Sequence, residues 1–356
     1  MTISAQAPGK LVLLGEYAVL EGAPAIVMAV DRYARVQVEP SREGFTVLAP
    51  DVGVKEASGR LGMGLGFEWT TGATEAERVE LGLIAACVEA VALALGKRRI
   101  VLPPALLRID SHELRVANGV AKLGVGSSAA VAAATVTALV AHAGVDVSAG
   151  PEREALFATT LAAHQAAQGK FGSGVDVAAS IYGGLLRFVR GAANCPVVTE
   201  LECPDWLEPI AVWSGRAAST PAFIAAIQAF KERAAESYVS SMEGLKVAAE
   251  AGLAAIANDE PSGFLTAVDT SGALLEELGV AAGVDIFSVE HQRVRSVVRA
   301  AGGVYKPSGA GGGDLGLAFA AAPKSAADLR SALRAAGLDV VSFAFDVGGA
   351  AIGRAP

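Results

Sequence analysis

A chain of 356 residues with 52% hydrophobic and 19% charged side chains has too much apolar material for a disordered protein and too little charge for a coiled coil, and its length suits two packed lobes. The formal net charge of −8 opposes non-specific attraction to phosphate polymers and argues against nucleic acid as a partner. No run of about 18 strongly apolar residues occurs and Met1-Thr2-Ile3-Ser4 has no basic-then-apolar leader pattern, so neither a membrane span nor secretion is expected and the cytoplasm is the default.

In chain order, residues 10–14 and 25–38 read as strands, the second passing into the alternation typical of a half-exposed strand. The glycine-rich stretch 53–72 reads as a flexible loop, in which Phe67 and Trp69 are either a cover for a bound base or partly buried anchors. A helix is expected over 80–95 and a strand over 106–111. An Ala-rich helix follows over 129–142, ended by Gly144, and another over 151–168 with Pro151 in its first turn. Strands at 183–189 and 209–213 precede helices at 220–236, 238–257, 263–279 and 285–301. The C-terminal part reads strand, helix, strand over 315–320, 325–336 and 340–345. The order is mixed α+β without a repeat, divided into lobes 1–185 and 186–356.

Cys87, Cys195 and Cys203 match neither a zinc module nor a redox pair and are expected to be reduced structural thiols. His112, His142, His164 and His291 lack metal-site spacing and read as packing or surface residues. The basic residues are more informative. Lys10, Lys122, Lys170, Arg216 and Lys306 each lie beside a glycine-rich turn, in segments far apart in sequence. Glycine exposes backbone N–H donors and a nearby cation neutralises charge, the combination that bound phosphate requires. The sharpest case is Gly124-Val125-Gly126-Ser127-Ser128-Ala129, which opens the Ala-rich helix: a helix N-terminus offers unpaired N–H groups to a di- or triphosphate, and Ser128 is placed to help hold Mg²⁺. It is neither the Walker nor the dinucleotide pattern.

Three segments in this order, Ala7-Pro8-Gly9-Lys10 through Gly15-Glu16-Tyr17-Ala18-Val19-Leu20, then 124–130, then Lys306-Pro307-Ser308-Gly309-Ala310-Gly311-Gly312-Gly313-Asp314, resemble the ordered motifs of the GHMP small-molecule kinases across nearly the whole chain. Gln168-Gly169-Lys170-Phe171-Gly172-Ser173-Gly174-Val175-Asp176 and Ser214-Gly215-Arg216-Ala217-Ala218-Ser219 are similar to its phosphomevalonate-phosphorylating branch, with the mevalonate-phosphorylating branch as nearest rival. The resemblance implies a lobe like ribosomal protein S5 domain 2 followed by a ferredoxin-like lobe, with ATP and Mg²⁺ as cofactors. The enzyme, a monomer or homodimer, would convert phosphomevalonate to diphosphomevalonate. It implies Lys10 and Asp176 as catalytic residues, Asp176 accepting a hydrogen bond from the attacking oxygen while Lys10 holds it. The nucleotide phosphates would lie over Lys122, Gly124, Gly126, Ser127, Ser128 and Ala129, with Ser128 as metal ligand. The acceptor would be held by Lys10, Glu16, Tyr17, Lys170, Ser173, Gly174, Asp176, Arg216, Ser219, Ser308, Gly309 and Ala310.

The chain departs from the mevalonate branch where a metal-binding Glu is expected eleven positions before the Asp: Gln165, a weaker Mg²⁺ ligand, stands there. A related decarboxylase is the third reading, disfavoured by Pro8-Gly9-Lys10 in place of an Asn-containing motif. The fourth is a non-catalytic ligand sensor, which would not need both Lys10 and Asp176.

Overall fold

The computed structural model describes residues 1–71, 74–116, 121–148, 150–168, 172–191, 196–218 and 220–353. In chain order the first part runs β1 (Ile3–Leu14), β2 (Pro24–Pro40), β3 (Phe45–Ala49), β4 (Val54–Leu61), β5 (Phe67–Thr71), α1 (Glu75–Glu80), α2 (Gly82–Lys97), β6 (Ala105–Asp110), α3 (Ser127–His142), α4 (Gly150–Ala167), α5 (Val175–Tyr182), β7 (Leu185–Val189) and β8 (Val197–Leu201). The second part runs β9 (Ile210–Trp213), α6 (Thr220–Arg233), α7 (Ala235–Ala257), α8 (Pro261–Ala282), α9 (Val289–Ala300), β10 (Val304–Pro307), β11 (Leu315–Phe319), α10 (Pro323–Ala335), β12 (Asp339–Val341) and β13 (Ala351–Gly353).

Among the described residues a nine-stranded sheet has the order β13-β1-β2-β6-β3-β4-β5, with β7 paired to β2 and β8 to β7. The length of β2 explains the branching: residues 24–28 pair with β7 and residues 35–40 with β6. The Ala-rich α3 lies on β1 and β2, and α2, α4 and α5 pack around it. With seven alanines among its sixteen residues and few polar side chains, α3 is buried on almost every face. The second sheet, β10-β11-β9-β12, is antiparallel, with α8 and α9 against β10 and α10 against β12.

The architecture is mixed α+β in two sheets. β7 and β8 belong to the first sheet, and β13 returns to that sheet beside β1. The stretch 53–72 contains strands β4 and β5, not the expected flexible loop. Its Gly59 serves a ring contact: a Cβ there would lie 2.3 Å from the Phe67 ring, which itself packs on Phe45 and Trp69 with centroids 6.1 and 4.7 Å away. Phe67 and Trp69 are thus anchors of a hairpin. Of the last expected strand, 340–345, only 340–341 lies in β12, while Phe345 forms an isolated antiparallel bridge to Val30. Cys87 and Cys203 are free thiols, and Cys195 lies outside the described residues.

Candidate active site

The site begins on β1. The β1–β2 register shifts between Pro8 and Gly9, and the strand is buried from Ala7 to Leu14, so Lys10 projects from a fixed and almost fully covered backbone. The Lys10 N–H donates to the carbonyl of Val125 at 2.8 Å. A Cβ on Gly9 would sit 2.8 Å from that same oxygen, so glycine is what lets the loop before α3 lie on the strand. Leu123 and Val125 are buried while Gly124 and Gly126 alternate outward, which anchors the loop by its apolar side chains and leaves glycine backbone facing the cleft. Gly126 has φ +73°, the left-handed conformation that glycine adopts without strain, and turns the chain into the N-terminus of α3.

The next element over the same point is α5. Gly174, at φ +91°, precedes its first turn, and a side chain there would collide with Leu161 at 2.8 Å. Ser173 Oγ accepts the Val175 N–H at 3.3 Å, and Ser180 Oγ donates to the Pro8 carbonyl at 2.9 Å, tying α5 to β1. Asp176 is thereby held with Oδ1 3.3 Å from Lys10 Nζ. A Cβ on Gly126 would lie 3.0 Å from Lys10 Cε and 3.4 Å from Asp176 Oδ2, so the helix N-terminus stands directly over the ion pair.

The second sheet supplies the third wall. The loop from Ser308 to Asp314 joins β10 and β11, and the position of a Gly309 Cβ is 3.8 Å from Lys10 Nζ. Ser308 Oγ accepts the Val12 N–H and donates to the Val12 carbonyl, both at 3.1 Å. Tyr17, at φ +60°, donates its hydroxyl proton to the Ala310 carbonyl. Behind them Lys306 and Glu16 form an ion pair with essentially no solvent exposure, and Glu16 Oε2 has no hydrogen-bond partner. Burial pushes the Lys306 ammonium below its ordinary value, the Glu16 carboxylate opposing this and the Lys10 charge adding to it.

Lys122 is exposed and lines a recess together with Ser127, Ser128, Val52, Ile84 and Ile109. Asp51 lies within it, accepting the Ser111 N–H at 2.6 Å.

Three residues in the site have no counterpart among the sequence expectations for it. Ser128 Oγ is 3.0 Å from His164 Nε2 and accepts from Gln168 Nε2 at 3.1 Å. His164 is therefore a buried polar neighbour of Ser128 rather than only a packing residue, and burial lowers its pKa against the opposing charge of Asp176. The His164/Gln168 spacing of one helical turn was the signal available in the sequence. Asp314 is the third: its side chain fills the space a Gly124 Cβ would need, 2.5 Å from its own Cβ, and Oδ1 accepts the Ala218 N–H at 3.1 Å. Burial raises its pKa, with the Ala218 N–H, Lys10 and Lys122 pulling the other way. Lys306, expected at the site as a cation beside a glycine turn, is instead consumed by Glu16.

Arg216 is exposed. Its backbone is tied to the glycine loop, its carbonyl accepting the Asp314 N–H at 2.7 Å. Its charge reaches Glu290, a carboxylate held below the usual range first by Ser288 and its own backbone. Lys170 and Ser219 lie outside the described residues. Among the described residues no group of three or more His, Cys, Asp or Glu side chains is arranged to hold a metal ion. Mg²⁺ does not need one, since it keeps waters and takes its remaining oxygens from nucleotide phosphates and one or two protein groups. Ser128 Oγ, in the first turn of α3, is a protein oxygen of the kind that requirement admits.

A lysine and an aspartate beneath a glycine-lined helix N-terminus, with a second lobe closing over them, define a small-molecule phosphotransferase. Residues 83–184 match the model of the GHMP kinases N terminal domain. The chain is 30% identical over 348 residues to the phosphomevalonate kinase of a Streptomyces species, covering 89% of this chain and 90% of that one. It is 28% identical over 345 residues to the mevalonate kinase of Pyrococcus furiosus, covering 95% and 94%. The structure superposes on Streptococcus pneumoniae phosphomevalonate kinase in complex with phosphomevalonate and AMPPNP with a TM-score of 0.78, at 20% identity and covering 96% and 99%. The chain belongs to the GHMP kinase family.

Proposed function

We propose that this enzyme transfers the γ-phosphoryl group of ATP, as its Mg²⁺ complex, to the phosphate of phosphomevalonate, giving diphosphomevalonate for isoprenoid synthesis. The observation that carries the reaction class is the Lys10–Asp176 pair at 3.3 Å beneath Gly126 at the start of α3. The choice of acceptor is supported by the similarity to the Streptomyces phosphomevalonate kinase over nearly the full length of both chains.

Phosphoryl transfer proceeds through a loose transition state, so the protein contributes alignment and charge stabilisation rather than covalent chemistry. The unpaired N–H groups at the start of α3, with Lys122, hold the nucleotide phosphates. Ser128 would hold Mg²⁺, and the ion when bound would supply positive charge against the nucleotide phosphates. Asp176 orients the attacking acceptor oxygen and takes any proton late, while Lys10 fixes Asp176 and balances charge on the transferring group. Lys10, Ser173, Gly174, Ser308, Gly309 and Ala310 surround the acceptor. Glu16 and Tyr17 shape its pocket from beneath, and Lys170, Arg216 and Ser219 supply the contacts to its own phosphate, with Arg216 suited to a bidentate grip. The lobes are best described as 1–201 with 351–353, and 202–350.

A coupled assay for ADP release with mevalonate, phosphomevalonate and homoserine tests the reading. Turnover with phosphomevalonate alone is expected. Preference for mevalonate would move the enzyme to the rival branch, and ADP release accompanied by carbon dioxide would make it a decarboxylase.

A further inference from the structure

Ser128 Oγ has four directions around it: the bond to Cβ, the hydroxyl proton and two lone pairs. One lone pair accepts from Gln168 Nε2 at 3.1 Å. The second neighbour, His164 Nε2 at 3.0 Å, takes the hydroxyl proton in the tautomer whose ring hydrogen sits on Nδ1. In that state one lone pair is left on Ser128, which lines the same recess as Lys122 and Ser127. A hydroxyl arranged in this way has no proton to give to a phosphate oxygen, and its unused lone pair suits a cation.

We propose that His164 and Gln168, one turn apart on α4, are positioning residues that turn the Ser128 hydroxyl from a phosphate hydrogen-bond donor into a ligand for the nucleotide-bound metal ion. The inference rests on the nucleotide-binding reading above. It replaces the position-by-position expectation at Gln165: the helix face that meets Ser128 carries residues 164 and 168. Gly172 lies beside the pair: a Cβ there would come into ordinary contact with Gln168 Oε1 at 3.7 Å and His164 Nδ1 at 4.0 Å.

The test measures AMPPNP binding by calorimetry to the full chain with Mg²⁺ and again in EDTA, and Mn²⁺ binding to the AMPPNP complex by electron paramagnetic resonance. His164→Phe removes the proton acceptor and keeps the ring volume. It is expected to weaken Mn²⁺ binding in the complex roughly tenfold or more, the size of one lost ligand-orienting contact. AMPPNP affinity in EDTA should stay within about threefold or rise, because the freed hydroxyl can then donate to phosphate. Gln168→Met, at an exposed position, should shift the same balance less and serves if the first variant does not fold. Since the effect runs through one oxygen, His164→Phe should add nothing in a Ser128→Ala background. Equal losses with and without metal, unchanged Mn²⁺ affinity, or full additivity with Ser128→Ala would overturn the assignment. Failure of the unsubstituted protein to bind AMPPNP at all would overturn the nucleotide reading itself and this inference with it.

Discussion

Asp176→Asn separates chemistry from architecture at the centre of the site. The substitution keeps the shape of the side chain and an oxygen facing Lys10 Nζ, now 3.3 Å away, but removes the charge and most of the proton affinity. Lys10 has 7% of its side chain exposed and Asp176 33%, so the pair is neither a surface contact nor a sealed one. Lys10 also keeps a second acidic neighbour in Asp314. The stability cost is therefore placed at about 1–2 kcal/mol, between the values for exposed and buried pairs. A domain stable by about 5–15 kcal/mol remains folded after such a loss. Catalysis should suffer more. Loss of a positioned acid–base group lowers turnover by roughly 10²–10⁴, equivalent to about 3–5 kcal/mol of transition-state stabilisation. The sign for ATP is opposite: Asp176 Oδ2 lies under Gly126, so neutralising it removes a like charge close to where the phosphates sit, and the ATP KM should hold or fall. Steady-state kinetics with both substrates varied, with circular dichroism and a urea melt as folding controls, decide the matter. A folded variant whose kcat stays within threefold of the parent, or whose whole defect is a raised ATP KM, would refute the role assigned to Asp176.

Arg216→Ala should raise the KM for phosphomevalonate roughly tenfold or more with the ATP KM unchanged, the size expected of one charge-assisted contact, and an unchanged acceptor KM would remove Arg216 from the acceptor site. Lys306→Met leaves the Glu16 carboxylate buried without its counter-charge and should cost about 3–5 kcal/mol in urea unfolding, much of it recovered in the Glu16→Gln/Lys306→Met double variant. A single variant within about 1 kcal/mol of the parent would contradict the buried-pair argument. His291 is buried with its ring nitrogens on the Tyr305 hydroxyl at 2.7 Å and the Gly313 carbonyl at 3.0 Å, and burial holds its pKa down at about 4, from 6.5. Between these values the unfolded chain binds the extra proton, so stability present above pH 6.5 is lost as the pH falls through this window, by about 2 kcal/mol at pH 5. His291→Gln should flatten that dependence in urea melts between pH 7 and pH 5, and an identical slope would show that other groups carry it.

The glycine-framed cations, the Ala-rich helix opened by Gly124–Ser128 and the mixed α+β order were legible in the chain because each depends on local chemistry: backbone freedom at glycine, helix propensity and hydrophobic period. The hairpin of β4 and β5 was not, because glycines that look like flexibility in a linear reading are close contacts once a ring such as Phe67 lies against them. The neighbours of Ser128 were not legible either, for a geometric reason. Successive residues on a helix point about 100° apart, so Gln165, eleven positions before Asp176, points in a different direction from its neighbour His164. Lys306 could not be told from the other cations by its flanking glycines either, since only the packing of β10 against the chain after β1 buries it on Glu16. Local pattern determined which segments could bind phosphate; the meeting of β1, α3, α5 and the 308–314 loop decided which of their side chains face the same few cubic ångströms, because burial and direction are properties of contacts between segments distant in the chain.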